Sequence, residues 1–182
     1  MNKLLRTIWA IWRAKRSSRI DLFDVGVLRL RVRPTDADIL NHMNNGVYLS
    51  VMDFGRFDLM IRSGVWGVIR KRGWYPVGAN VTISYRKSLP TWTRYELHTR
   101  LIGADEKAMF VEQRFVVGGE IYARGVFRGV FLEKGAGVVT VARLAEAAGV
   151  DLSRLEAPAW LERWAADVSL PSTRADAPNV WA

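Results

Sequence analysis

Residues 46–62, which read GVYLSVMDFGRFDLMIR, decide the fold of this chain. At helical spacing, large apolar side chains cover most of the circumference of this stretch: Tyr48, Leu49, Val51, Met52, Phe54, Phe57, Leu59, Met60 and Ile61. A helix that is apolar nearly all round is normally buried rather than laid on a surface. Asn44 or Asn45 suits its N-cap and Gly64 suits its end.

The segments around this helix have the composition of β-strands. Residues 25–33 precede it, and residues 77–89, 93–103, 107–117 and 120–133, rich in Val, Ile, Thr, Tyr and Phe, follow it. Turn residues separate the later segments, which predicts consecutive antiparallel strands joined by hairpins. The order of strand, buried helix and long strands predicts an α+β fold, with an antiparallel sheet wrapped around one central helix.

The chain divides into three predicted parts. Residues 1–20 form a basic amphipathic helix, residues 21–150 the main domain, and residues 151–182 a C-terminal extension with a short helix and a loose tail. Within these parts, helices are expected at 141–148 and at 158–168.

The composition excludes several kinds of site. There is no cysteine, so a disulfide framework, a thiolate metal site and a cysteine nucleophile are excluded, and a cytoplasmic location is expected. His42 and His98 are the two histidines of the chain, too few for a histidine-rich metal site. Carboxylates could still hold a hard cation, although we expect neither a metal nor a cofactor. We also expect His98 to be structural, because it sits in a strand pattern without an acidic companion.

The positive charge is concentrated at the N-terminus. The net charge is +9, and the first 19 residues carry six basic side chains and no acidic one. Within residues 2–16, one helical face carries Leu4, Leu5, Ile8, Trp9 and Trp12. Aromatic side chains beside arginines suit a helix lying in a membrane surface. The alternative is a helix that packs on its own domain or on a partner subunit. A signal peptide is not expected, because arginines interrupt the apolar core.

Residues 35–45, TDADILNHMNN, place two carboxylates, a histidine and three amides directly before the buried helix. The free N–H groups and the dipole at a helix N-terminus can polarise a carbonyl oxygen. A carboxylate beside them can activate water or attack the carbonyl. The alternative is structural, because Asp36 and Asp38 could cap turns and His42 could be a hydrogen-bonded structural residue.

This loop resembles the signature of the 4-hydroxybenzoyl-CoA thioesterase branch of hotdog-fold proteins. The resemblance rests on the spacing of Asp38, His42, Asn44, Asn45 and Tyr48. The sequence His-Met-Asn-Asn is most similar to the group of thioesterase superfamily member six, and ISYRKSL at 83–89 is similar to a strand of the family. The resemblance covers residues 24–150 and implies a hotdog fold.

The resemblance also implies roles for the loop residues. Asp38 matches the catalytic carboxylate, either a general base toward water or a nucleophile that forms an acyl-enzyme anhydride. His42 matches a histidine that orients substrate or water. Asn44 and Asn45 lead into the helix whose amides, with that of Gly46, would hold the thioester oxygen.

Further residues are expected to contact the substrate, and the resemblance implies hydrolysis of acyl-CoA to free acid and CoA. Tyr48 matches an aromatic residue of the helix that lines the site. Arg86 and Lys87, and also Arg94, could bind the CoA phosphates, although a solvated basic strand edge is an equal alternative. The family assembles as homodimers or homotetramers with sites at subunit interfaces.

Two other functions compete with thioester hydrolysis. One is a non-catalytic hotdog module that binds acyl-CoA or lipid at a membrane surface through residues 2–16. The other is nucleic-acid binding, which we rank last because the charge lies in one short helix without a base-stacking motif.

Overall fold

The structure, a computed structural model, describes residues 3–171 and 175–179 of the chain. Residues 1 and 2 of the predicted N-terminal helix, the side chains of Leu4 and Leu5 on its predicted apolar face, and part of the predicted loose tail lie outside the described part of the chain. The helices are α1 Lys3–Arg16, α2 Asn45–Arg62, α3 Val65–Lys71, α4 Val141–Ala148 and α5 Trp160–Val168. The strands are β1 Gly26–Arg31, β2 Trp74–Tyr85, β3 Arg94–Ala104, β4 Ala108–Val117, β5 Glu120–Glu133 and β6 Gly137–Val139.

These strands form one antiparallel sheet in the order β1-β3-β4-β5-β2, with β6 paired to β5. The predicted hairpin between β2 and β3 is therefore wrong, because β2 pairs with β5 while β3 pairs with β1 and β4. The connection 86–93 carries the chain from one edge of the sheet toward the other and buries Leu89. Turn residues predict only that the chain changes direction. The path of the connection depends on the burial of Leu89 in the core.

Helix α2 packs against β1, β3 and β4. Its buried residues lie along the side that faces the sheet: Tyr48, Val51, Met52, Phe54, Gly55, Asp58 and Leu59. Gly55 allows the close approach, because a Cβ added there would lie 2.3 Å from Thr99 Oγ1. The predicted α+β arrangement of a sheet around one central helix is confirmed.

Helix α3 was not predicted. Gly64, with φ +87°, takes the left-handed conformation that ends α2 and redirects the chain into this short helix. Val65 and Ile69, four residues apart, are its buried side chains. Two buried positions in seven residues are too few for a periodic signal. Helices α4 and α5 confirm the helices predicted at 141–148 and 158–168, and Thr140 caps α4.

Helix α1 packs against α2 through small side chains, because Ala10 and Ala14 are the buried residues among those of residues 6–16, the part of α1 whose side chains the structure describes. Ile8, Trp9 and Trp12, on its predicted apolar face, are each about half exposed, at 53%, 49% and 50%. Both alternatives for this helix therefore have a structural counterpart: it packs on its own domain, and it presents aromatic side chains to the solvent. Among the described residues, no helix combines the length and apolarity needed to cross a membrane.

Candidate active site

The loop before α2 is held by backbone hydrogen bonds at both of its ends. The amide of Asp38 donates to the carbonyl of His42 at 3.0 Å, and the amide of Asn41 donates to the carbonyl of Asp38 at 3.0 Å. Asn41 has φ +60°, which a tight turn requires and which asparagine tolerates better than most residues. The amide of Met43 donates to the carbonyl of Leu89, so the 86–93 connection supports the loop.

Asp38 and His42 lie side by side in this loop. Oδ2 of Asp38 is 3.5 Å from Nδ1 of His42, the separation of an ion pair rather than of a short hydrogen bond. The other carboxylate oxygen of Asp38 accepts a hydrogen bond from the amide of Leu40 at 2.9 Å. Asp38 therefore serves the turn with one oxygen and presents the second beside the imidazole. Both side chains are about one-quarter exposed, which leaves them accessible to a ligand.

Asp36 has a structural place instead. It is 2% exposed, pairs with Arg6 of α1, and accepts the amide of Arg33 at 3.1 Å. Its carbonyl accepts the amide of Asn44 at 2.9 Å. The contact between α1 and the loop was missed by sequence reasoning, because nothing in the sequence links residues thirty positions apart.

The N-terminus of α2 begins at Asn45, with Asn44 as its cap. Oδ1 of Asn44 accepts the amide of Gly46 at 2.9 Å, so this amide already has a partner that an incoming carbonyl oxygen would have to share. The carbonyl of Asn45 accepts a hydrogen bond from the hydroxyl of Tyr85 at 3.3 Å. The end of β2 therefore lies against the start of α2.

Tyr48 lies in the core rather than on an open wall of the site. It is 2% exposed and packs against Tyr85 and Phe115, with ring centroids at 5.1 and 4.7 Å. Burial raises the pKa of Tyr48 to about 12, so its hydroxyl stays protonated at neutral pH. Its position supports packing, and direct contact with substrate stays a prediction.

Arg86 and Lys87 follow β2 and share one acidic partner. Glu120 accepts from Arg86 at 2.8 Å and from Lys87 at 2.7 Å. Hydrogen bonds from Lys87 and Arg86 hold the pKa of Glu120 below its ordinary value. Because all three side chains are well exposed, the pairs are weak, and a phosphate could compete with the carboxylate.

Comparison with known proteins identifies the family. The sequence profile of the Thioesterase-like superfamily matches residues 32–165. The chain belongs to the thioesterase-like superfamily. It is 48% identical over 85 residues to Protein THEM6 of Xenopus laevis, a match of 47% of this chain and 41% of that protein. The chain thus spans less than half the length of this relative.

Solved structures of thioesterases have the same fold. YbaW, a probable thioesterase from Escherichia coli, superposes with a TM-score of 0.63 at 19% identity, covering 66% of this chain and 94% of YbaW. The DHNA-CoA thioesterase of Staphylococcus aureus superposes with a TM-score of 0.60 at 14% identity, covering 69% and 89%. The hotdog fold predicted from the loop motif is confirmed. At these identities the likeness shows the fold alone.

This thioesterase-like chain also has an apolar cavity of about 260 Å³ between α2 and the sheet. Phe57, Met60 and Phe127 line it, together with Asp53 and Arg56. Arg56 pairs with Asp53 and lies over the ring of Phe127, 3.8 Å from its centroid. Burial lowers the pKa of Arg56. The sequence places Asp53 and Arg56 three residues apart among the large apolar residues of α2, and this spacing is the signal for the pair.

His98, the histidine outside the loop, has an acidic neighbour. Nε2 of His98 lies 3.0 Å from Oε2 of Glu96, so the expectation that His98 lacks an acidic companion is wrong. Residues i and i+2 of a strand share a face, and that period already places the two together. Among the described residues, no group of three or more His, Asp or Glu could hold a metal ion.

Proposed function

We propose that this protein hydrolyses acyl-CoA thioesters to the free acid and CoA. The observation that carries the proposal is the pair Asp38 and His42, which lies immediately before the N-terminus of α2 in a thioesterase-like chain. The DHNA-CoA thioesterase of Staphylococcus aureus has the same fold, which supports CoA as the thiol.

The carboxylate of Asp38 starts the reaction, by one of two routes. As a general base, it takes a proton from water, the hydroxide adds to the carbonyl carbon, the C–S bond breaks, and CoA leaves as a thiolate that takes up the proton. As a nucleophile, it adds to the carbonyl carbon itself, CoA leaves as a thiolate, and water hydrolyses the mixed anhydride. In both routes His42 holds the carboxylate and the water in place. The amides at the start of α2, from Asn44 to Gly46, stabilise the negative charge on the carbonyl oxygen.

The remainder of the substrate has two proposed contacts. Arg86 and Lys87 bind the CoA phosphates in exchange for Glu120, which supports a carrier with several negative charges. The cavity of about 260 Å³ beside Arg56 receives the acyl group, which supports an apolar acid.

The test is thiol release from acyl-CoAs of graded chain length by the wild type and by Asp38→Asn. Loss of the group that accepts a proton or attacks the carbonyl should slow release at least about a hundredfold. Asp167→Asn is the matched control, because Asp167 lies on the exposed surface of α5 and should leave the rate unchanged. No release from any substrate by folded wild type would refute the proposal.

Single-turnover hydrolysis in ¹⁸O-labelled water tests the nucleophilic route. When water attacks the Asp38 carbonyl of the anhydride, ¹⁸O enters the Asp38 carboxylate, and mass spectrometry of the peptide detects it. Label in Asp38 therefore demonstrates the anhydride, whereas label found only in the released acid excludes attack of water at the Asp38 carbonyl.

We also propose a homodimer or a homotetramer that forms through β2. This strand lies at an edge of the sheet, and Tyr75, Val81 and Tyr85 are exposed along its twelve residues. A long exposed edge strand readily pairs with another copy of itself. Light scattering coupled to gel filtration gives the mass, and a monomer at micromolar concentration would contradict this assembly.

A second candidate function is a non-catalytic module that binds acyl-CoA or lipid at the cytoplasmic face of a membrane. The half-exposed Ile8, Trp9 and Trp12 of α1 favour it, with Arg16 lying over the ring of Trp12 at 4.0 Å. Sedimentation with anionic vesicles that is lost in Trp12→Ser, together with no thiol release above background from folded wild type, would favour this function over hydrolysis.

A further inference from the structure

A large cleft lies beside β1, away from Asp38 and His42, which are not among its lining residues. Its volume is about 890 Å³, within the range of sites that enclose a whole small molecule. Five arginines line it: Arg6, Arg29, Arg31, Arg33 and Arg94. We call this site the arginine cleft.

The charges of the arginine cleft are unbalanced. Among its lining residues Glu96 carries the one carboxylate, and it accepts a hydrogen bond from Arg29 at 3.1 Å. Arg6 is paired with the buried Asp36 behind the cleft. Neither Arg31, which donates to the carbonyl of Trp92 at 2.9 Å, nor Arg94 has a carboxylate partner among the described residues, so these two guanidinium groups leave the cleft with an excess of positive charge.

The strand register places two of these arginines against each other. Arg31 of β1 and Arg94 of β3 are direct Cα partners, an arrangement that destabilises a sheet when both side chains carry the same charge. Glu96 faces Arg29 two residues along the same strands, so one face of the sheet carries an acidic partner at one position and two arginines at the other. An anion bound between Arg31 and Arg94 would relieve this repulsion.

The cleft also has a polar group without a partner and an apolar wall. Tyr95 lines it, is 2% exposed, and its hydroxyl has no hydrogen-bond partner among the described residues. A buried hydroxyl in this state is costly, and a ligand oxygen would satisfy it. Trp9, Leu30 and Phe54 supply apolar surface on the same cleft. A small inorganic anion would leave this surface uncovered.

We propose that the arginine cleft binds a phosphate monoester that carries an apolar chain. Arginine forks match phosphate oxygens in pairs, and a dianionic head offsets more of the excess charge than a carboxylate does. The chain lies against Trp9 and Phe54. Trp9 and Arg6 belong to α1, which is outside the residues 32–165 that match the family, so this site goes beyond the proposed hydrolysis.

The experiment is calorimetric titration of the full chain with decyl phosphate below its micellar concentration. Decanoate, with a similar chain and a carboxylate, and inorganic phosphate, with the head alone, are the comparison ligands. Decyl phosphate should bind at least about tenfold more tightly than either. Equal affinity for inorganic phosphate would overturn the proposal, because the apolar wall would then contribute nothing.

Variants locate the binding. Arg31→Ala and Arg94→Ala should each weaken decyl phosphate about tenfold or more, the loss expected for a charged hydrogen bond. Arg100→Ala is the matched control, an exposed arginine on the same strand β3 outside the cleft, and should change affinity less than about twofold. Trp9→Ser should weaken decyl phosphate but not inorganic phosphate, which identifies the chain contact without removing a charge.

A competition titration with CoA tests whether the arginine cleft is distinct from the site that would bind CoA. Displacement of decyl phosphate by CoA, with CoA affinity falling equally in Arg94→Ala, would show a nucleotide subsite and overturn the proposal. None of the probes contains a thioester. The binding result therefore stands or falls independently of thiol release.

Discussion

Replacing Gly55 by alanine tests how closely α2 lies on the sheet. A Cβ at this position would lie 2.3 Å from Oγ1 of Thr99, 2.7 Å from Nε2 of Gln113 and 2.8 Å from Cδ2 of Leu97. Real Cβ atoms do not approach other atoms this closely. All three neighbours are at most 1% exposed, and they come from two strands, so no single side-chain rotation clears the space.

The expected cost follows from these contacts. Forcing a methyl group into a packed core costs about 1–3 kcal/mol. Nε2 of Gln113 donates to the carbonyl of Met52 at 2.9 Å and to Thr99 at 3.0 Å, and losing such a buried partner costs about 1–3 kcal/mol. Alanine returns about 1 kcal/mol of helix propensity. The free energy of unfolding should fall by about 3 kcal/mol, which lowers Tm by about 6–12 °C in a chain of this size.

Gly67→Ala is the matched control. Gly67 lies in helix α3, and an added Cβ would have no atom within 4 Å. The same chemical change should therefore raise stability by about 1 kcal/mol through propensity alone. Urea unfolding and thermal melts measure both variants. A Gly55→Ala protein that melts within about 2 °C of wild type, or above it, would refute the close approach of α2 to the sheet.

The remaining predictions concern Asn41 in the loop before α2 and Glu120, the partner of Arg86 and Lys87. Asn41→Ala should lower the free energy of unfolding in urea by about 2 kcal/mol, because alanine must adopt the φ of +60° and loses the 2.6 Å hydrogen bond from Thr91. Asn41→Gly loses the same hydrogen bond without backbone strain and should cost about 1 kcal/mol. Equal losses would contradict the left-handed backbone. Glu120→Gln should tighten binding of CoA, because it frees Arg86 and Lys87, and unchanged affinity would exclude these residues as phosphate contacts. The pKa of Glu120 in the folded protein lies below its ordinary 4.5. Wild type should therefore be more stable than Glu120→Gln at pH 7, and this difference in stability should vanish as the pH falls through the folded pKa.

Local signals in the sequence predicted the elements that they specify. The all-round apolar pattern identified α2, and Thr140 with Gly149 marked the ends of α4. The loop motif predicted the family. The contact of Asp38 with His42 was not predicted as a pair, although four residues and one turn separate them. The pairing of Glu96 with His98 was available from the strand period in the same way.

Contacts between distant segments could not be predicted. Hairpin rules pair neighbouring strands, whereas β2 finds its partner in β5, after two intervening strands. The sequence also did not predict which face of α1 packs against the domain. Tryptophans predicted one face, and the smaller side chains of Ala10 and Ala14 allowed the closer approach of the other.

Helix α1 lies outside the family match, yet it is part of the scaffold of the candidate site. Arg6 neutralises the buried Asp36, and an unpaired carboxylate at that depth would carry a large desolvation cost. The carbonyl of Asp36 in turn accepts the amide of Asn44, the cap of α2. One residue thus joins α1 to the helix end that would hold a thioester oxygen. Arg6 also lines the arginine cleft, so the cleft and the loop that carries Asp38 share this ion pair.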